Sequence, residues 1–314
     1  MSLYTAKFKP GSWDKTVRND VCQLCNHREY RHYLSLRDLD VYLCLRCRST
    51  FVRTNGPESG ESQQHSTSYS ERYGEERASD KGKQCWDILR KQTDNLQGVN
   101  RILDIGCGRG DFLDQAMQNG LCTSGIELSV QAAASAALRG HSVVCESAMN
   151  MQFPLGTEYD AVTLWDLLEH LTAPRLALVQ AHSFLSKGGY LVVLTPMMGS
   201  IFDRLGYMAH RLSLGRFDQL ARMCWTQDHV FRFDRSGLAA VLKEIGFVDV
   251  RVRPIQLLSL RASCYAGSEV MPRWTRWDGL NRCLASPLVS IARCLSISNK
   301  LLVIARKGRN DRDR

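Results

Sequence analysis

Residues 101–110, Arg-Ile-Leu-Asp-Ile-Gly-Cys-Gly-Arg-Gly, set Asp104 and Cys107 among Gly106, Gly108 and Gly110. An apolar strand running into such glycines can turn with positive φ and bring backbone N–H groups against a ligand at the mouth of a parallel sheet. Glu127 ends the next apolar segment, where a carboxylate can accept both hydroxyls of a ribose. The pairing points to a nucleoside cofactor. A dinucleotide fingerprint would need its third glycine at position 111, and Asp111 stands there. Asp104 would repel a pyrophosphate and attract an ammonium, so the cofactor sought is a cation of the methionine type.

A second chemistry lies near the N-terminus. Cys22-Gln-Leu-Cys25 and Cys44-Leu-Arg-Cys47 are two C-x-x-C knuckles, spaced as in a four-thiolate zinc ribbon. Iron held by the same four sulfurs is the minor alternative. Asn26 and Arg48 occupy the places after each knuckle where glycine often sits; Asn accepts left-handed geometry more readily than Arg. The other eight of the 12 cysteines are scattered and read as small buried hydrophobes rather than disulfide partners. No secretory apolar segment opens the chain and no run approaches a membrane span, so a cytoplasmic location is expected.

The elements that must position these residues alternate in βα steps. After Glu127, 130–139 reads as a helix, 141–145 as a strand and Tyr159–Trp165 as a buried strand. A further strand over 190–195 ends at Pro196, a helix over 236–245 stops at Gly246, and strands follow at 248–252 and 300–306. Residues 54–84 are polar and read as a mobile connector, 86–95 as the helix before the first sheet strand, and 280–294 as an amphipathic piece. The expected organisation is a zinc-ribbon-like module over 1–53, the connector, and an α/β domain over 85–314 with an apolar-basic insertion over 197–227. The insertion either shapes an acceptor pocket or simply covers the sheet.

With these motifs in this order the chain resembles the class I S-adenosylmethionine-dependent methyltransferases. The segment Trp165-Asp-Leu-Leu-Glu-His-Leu171 is similar to the motif after the fourth strand in small-molecule members of the coenzyme Q type. The resemblance covers roughly residues 98–255 and implies a Rossmann-like, seven-stranded, mostly parallel sheet with helices on both faces. It also implies that Asp104, Gly106, Cys107, Gly108, Gly110 and Glu127 hold S-adenosylmethionine, with Trp165 on the sulfonium side and Tyr73 as a lid residue or a packing tyrosine. Many relatives carry Gly-Asp-Ala in the adenine pocket. Here the triplet is Glu146-Ser147-Ala148, so Ser147 or Glu146 takes that contact beside Ala148.

Transfer to a hydroxyl or carbon acid needs a base. His229, in a stretch resembling one that closes the pocket in relatives, is the first candidate, with His170 and Glu169, read as beginning the helix after the fourth strand, next. A purely structural role is the competing reading for each histidine. The net charge of +9 suits solvated surface, or an acidic or carrier-bound acceptor. The leading expectation is a methyltransferase acting on oxygen or carbon of a small molecule in glycan or specialised-metabolite synthesis. An RNA base methyltransferase gripping RNA through the ribbon is the rival, and a non-catalytic zinc-ribbon adaptor is the weaker third reading.

Overall fold

A computed structural model describes residues 21–36, 39–54, 75–93, 96–151, 157–216, 219–222, 224–226, 229–255 and 299–308. Tyr73, the amphipathic piece over 280–294 and the tail after residue 308 lie outside the described residues, as do Cys264, Cys283 and Cys294.

The central sheet contains β4 (Arg101–Ile105), β5 (Cys122–Glu127), β6 (Ser142–Cys145), β7 (Tyr159–Trp165), β8 (Leu185–Pro196), β10 (Phe247–Ile255) and β11 (Lys300–Lys307). Its strand order is β10-β11-β8-β7-β4-β5-β6. Strands β4 to β8 pair in parallel, and β11 runs antiparallel between β8 and β10. The strands alternate apolar residues between two faces, as a sheet covered on both sides requires. Leu103, Ile105, Leu191, Val193, Leu301 and Val303 pack with α4 (Pro174–Phe184) and α7 (Arg235–Ile245). Ile102, Val192, Leu194, Leu302 and Ile304 pack instead with α1 (Glu75–Gln92) and α2 (Asp111–Gln118). Helix α3 (Val130–Leu138) starts on Ser129, whose side chain accepts from the Ala132 N–H. Because β4 neighbours both β5 and β7, the chain reverses its winding there, which opens a crevice at the carboxyl ends of these strands.

Three details differ from the sequence expectation. Helix α1 begins at Glu75, inside the stretch read as a connector, because Ala78, Cys85, Trp86 and Leu89 form a narrow buried stripe among charged residues. Glu169 and His170 sit in a single 3₁₀ turn, Leu168–His170, rather than at a helix start. Cys122 and Cys145 are exposed, at the two ends of strands near the sheet edge, and so are not buried hydrophobes.

The N-terminal module is fused to the domain rather than appended to it. Its strands β1 (Tyr30–Ser35), β2 (Leu39–Cys44) and β3 (Thr50–Thr54) form an antiparallel sheet extended by β9 (Phe231–Arg232). Thr50 and Phe51 pair with Arg232 and Phe231, and the Val52 N–H donates to the Val230 carbonyl at 2.9 Å. The Asp234 N–H donates to Ser49 Oγ at 3.1 Å. At Gly237, on the first turn of α7, a Cβ would lie 1.8 Å from the Cys47 carbonyl oxygen, so only glycine permits this approach. The insertion, comprising α5 (Ile201–Leu212) and the short α6 (Gln219–Arg222), packs on the module. Tyr207 stacks on Tyr33 with ring centroids 4.6 Å apart, and the Trp225 indole donates to Thr50 Oγ1 at 3.3 Å.

Candidate functional site

The loop after β4 is tied to β5 by its backbone. Gly106 and Cys107 donate to the Ile126 carbonyl at 2.7 and 3.1 Å, with φ of 76° at Gly106 and 56° at Gly108. A Cβ on Gly106 would meet Leu167 at 3.0 Å, whereas one on Gly108 would meet nothing within 4 Å. The loop therefore leaves the Gly108 backbone open on its Cβ side. Glu127 fixes its rim: Oε2 accepts from the Gly108 N–H at 2.9 Å and Oε1 from the Ser129 N–H at 2.8 Å. Burial raises the Glu127 carboxyl above its usual range while these N–H groups pull it back. Asp104 is buried and accepts from Thr163 Oγ1 at 2.6 Å; burial nonetheless pushes it up to about 7.

The remaining expected cofactor residues divide. Cys107 turns its sulfur under the loop, where a Cβ on Gly125 would lie 2.5 Å away, so its side chain packs there. Ser147 and Ala148 are both buried after β6, with Ser147 Oγ accepting from the Met149 N–H at 3.2 Å. Trp165 closes β7 with its ring 5.3 Å from Phe112, and its buried indole N–H has no hydrogen-bond partner among the described residues.

Sequence reasoning passed over two lysines at this edge. Lys81 of α1 and Lys300 of β11 both reach Asp166, at 3.1 and 2.5 Å. Burial alone would raise the Asp166 carboxyl, but the two ammonium groups together hold it below the usual carboxylate range. Lys300 was visible as the charged start of an apolar strand; Lys81 was hidden in a polar stretch.

The three candidates for proton chemistry come together. Ligand atoms of Glu169, His170 and His229 all lie within 4.8 Å of one another, and the two imidazole rings sit edge to face at 4.8 Å. Thr195, at the end of β8, donates to Glu169 Oε2 at 2.9 Å, and burial, reinforced by the charge of Asp166, raises Glu169 to about 7. Burial drives His229 well below its ordinary value of 6.5, with His170 and the Arg232 guanidinium adding to the effect. His229 is therefore held neutral, with Nδ1 buried and lacking a hydrogen-bond partner among the described residues. It is placed by β9 and so by the β3 pairing. Arg232 anchors the same segment, donating to the carbonyls of Cys224 and Met197 and pairing with Asp203 at 2.8 Å.

Cys22, Cys25, Cys44 and Cys47 are buried and converge so that their four sulfurs lie within 4.8 Å of one another. The Asn26 N–H donates to the Cys22 carbonyl and the Arg48 N–H to the Cys44 carbonyl, so each knuckle closes alike. Asn26 and Arg48 have φ of 58° and 57°, the left-handed geometry foreseen for these places. Four convergent buried sulfurs are a donor set that fits a tetrahedral soft ion.

A family model described as a methyltransferase domain matches residues 71–252. The chain belongs to this family. Among curated proteins, it is 27% identical over 186 residues to the demethylmenaquinone methyltransferase of Geobacillus kaustophilus, covering 54% of this chain and 78% of that one. It is 29% identical over 113 residues to the ubiquinone biosynthesis O-methyltransferase of Bordetella avium, covering 33% of this chain and only 45% of the relative. Among solved structures, phosphoethanolamine N-methyltransferase 2 of Haemonchus contortus, in complex with S-adenosyl-L-methionine, superposes with a TM-score of 0.51 at 18% identity. It covers 83% of this chain and 62% of that structure, a likeness of fold. The methyltransferase carries its glycine loop after β4 and the Glu169 and His170 turn after β7, at the carboxyl edge of parallel neighbouring strands.

Proposed function

We propose that this methyltransferase uses S-adenosylmethionine to methylate an oxygen or carbon atom of a small molecule, with His229 as the base. The observation that carries the reading is the convergence of His229, His170 and Glu169 at the carboxyl edge of β7 and β8. The two curated relatives, by their names, act on demethylmenaquinone and in ubiquinone biosynthesis as an O-methyltransferase, which supports a small-molecule acceptor. Glycan and specialised-metabolite acceptors remain within the proposal.

The residues present fit the cofactor. The open backbone at Gly108 admits a nucleoside, Glu127 offers both oxygens to ribose hydroxyls, and Asp104, protonated in part at neutral pH, would ionise beside an ammonium. S-adenosylmethionine, when bound, supplies a methyl group already activated by its sulfonium. The chain's own residues align the acceptor and exclude water, a contribution of about 7–11 kcal/mol where the geometry is good. His229, held neutral by burial, accepts the proton lost by the acceptor hydroxyl or carbon acid. His170 packs edge-on against that ring and orients it, while Glu169, fixed by Thr195, closes the same corner. The four cysteines hold a structural Zn²⁺ in this reading, which braces β3 and, through β9, the His229 segment.

Tritiated-methyl transfer to phenolic, sugar-nucleotide and structured-RNA acceptors tests the assignment. Transfer to a small acceptor, slowed at least about 100-fold in His229→Ala with cofactor binding intact, is the expected result. Methylation of RNA alone would replace the small-molecule reading, and an unslowed variant would remove His229 from proton transfer.

A further inference from the structure

Helix α5 turns its apolar side outward. Ile201, Leu205, Met208 and Leu212 recur at helical spacing along one face and are 38%, 38%, 54% and 81% exposed, and Leu214 beyond the helix end is 85% exposed. The opposite face is the one that packs: Asp203 and Gly206 are buried, Asp203 pairs with Arg232, and Tyr207 stacks on Tyr33. A capping box in which Ser200 and Asp203 exchange side-chain and backbone hydrogen bonds fixes the start of the helix. The rotation of α5 is therefore set by buried contacts, and the outward stripe is not an accident of a loosely seated helix. A contiguous exposed apolar stripe of this kind marks an interaction surface.

Charge identifies the partner. Arg204, Arg211 and Arg216 are exposed beside the stripe, and Asp203, the sole acid between 201 and 216, is buried and neutralised. An apolar stripe bordered by cations alone is the pattern of a helix that lies in a lipid interface. No described helix is long and apolar enough to cross a membrane. We propose that α5 docks on an anionic lipid surface, its Ile201, Leu205, Met208 and Leu212 side chains entering the headgroup layer and Arg204, Arg211 and Arg216 binding lipid phosphates.

Flotation of the full chain with vesicles tests this. Binding to phosphatidylcholine–phosphatidylglycerol vesicles should exceed binding to pure phosphatidylcholine vesicles about tenfold or more and fall in high salt. Met208→Glu combined with Leu212→Glu should weaken it about tenfold with S-adenosylhomocysteine affinity unchanged. Arg211→Glu, which leaves the stripe intact, should also weaken it, and serves alone if the double variant does not fold. Absence of flotation, or flotation indifferent to these substitutions, overturns the proposal. A dimer that Leu212→Glu dissociates, without lipid binding, would assign the face to a second copy. A lower melting temperature in the double variant, without lipid binding, would mean that the chain covers this face itself.

Discussion

The burial of His229 bears on stability and, under the proposed role, on chemistry. Its folded pKa lies below the ordinary 6.5 because burial and neighbouring cations disfavour the imidazolium. If His229 is the base, as proposed, being kept neutral lets it work at pH values where an exposed histidine is protonated, so the acid limb of kcat should fall below pH 6.5 and should vanish from the profile of His229→Ala. A limb at or above 6.5 would assign proton transfer to another group. The stability sign follows from linkage: below pH 6.5 the unfolded chain takes up this proton before the folded chain does, so His229 destabilises the fold progressively as the pH drops. Arg48 offers a separate test at the same scale. Its φ of 57° costs a non-glycine residue about 1–2 kcal/mol, partly offset by the greater unfolded entropy of glycine. Arg48→Gly should therefore stabilise the module by about 0.5–1 kcal/mol in chemical denaturation, and destabilisation would show that the arginine side chain itself holds the knuckle.

Among the elements, the decisive contact is between the cysteine module and α7. Gly237→Ala would drive a Cβ into the Cys47 carbonyl, 1.8 Å away, where backbone on both sides leaves nothing soft to yield. A loss of about 3 kcal/mol or more is expected in thermal or denaturant unfolding, and a neutral outcome would mean that module and helix are not in contact. Metal removal probes the same junction from the other side. If the four cysteines hold zinc, chelation should release the Val52 amide, bonded to the Val230 carbonyl, to faster hydrogen exchange while cofactor binding persists. Unchanged exchange at Val52 would dissociate the cysteine cluster from the His229 segment. The parallel strands were legible because each is a local apolar run ended by its own turn residues. Helix α1 was not, since its buried stripe of Ala78, Cys85, Trp86 and Leu89 is thin and dispersed among charges. The β3–β9 pairing was not legible either: Phe51 and Phe231 are joined across most of the chain, and nothing in either short segment encodes the other.

Across the whole molecule, the glycine loop and the Glu169, His170 and His229 cluster lie at the carboxyl edge of one sheet but are built from different parts. The loop is made by β4, β5 and their glycines, all close in sequence, which is why Gly106, Gly108 and Glu127 could be named from residue order alone. The cluster needs β7, β8, β9 and the cysteine module at once, so His170 and His229 could be named but their meeting at 4.8 Å could not be foreseen. Lys81 and Lys300, which converge on Asp166, show the same limit, for their shared partner exists only in the folded sheet.

The most direct measurement is calorimetric titration of the full chain with S-adenosylmethionine at pH 7 in buffers of different ionisation enthalpy. Burial raises Asp104 to about 7 in the free protein, and a bound ammonium favours its anion, so binding at this pH should be accompanied by net proton release. The account predicts saturable binding with that release, and weaker binding without it in Asp104→Asn. A folded chain that gives no binding heat in any buffer, or binding whose proton release survives in Asp104→Asn, would contradict it.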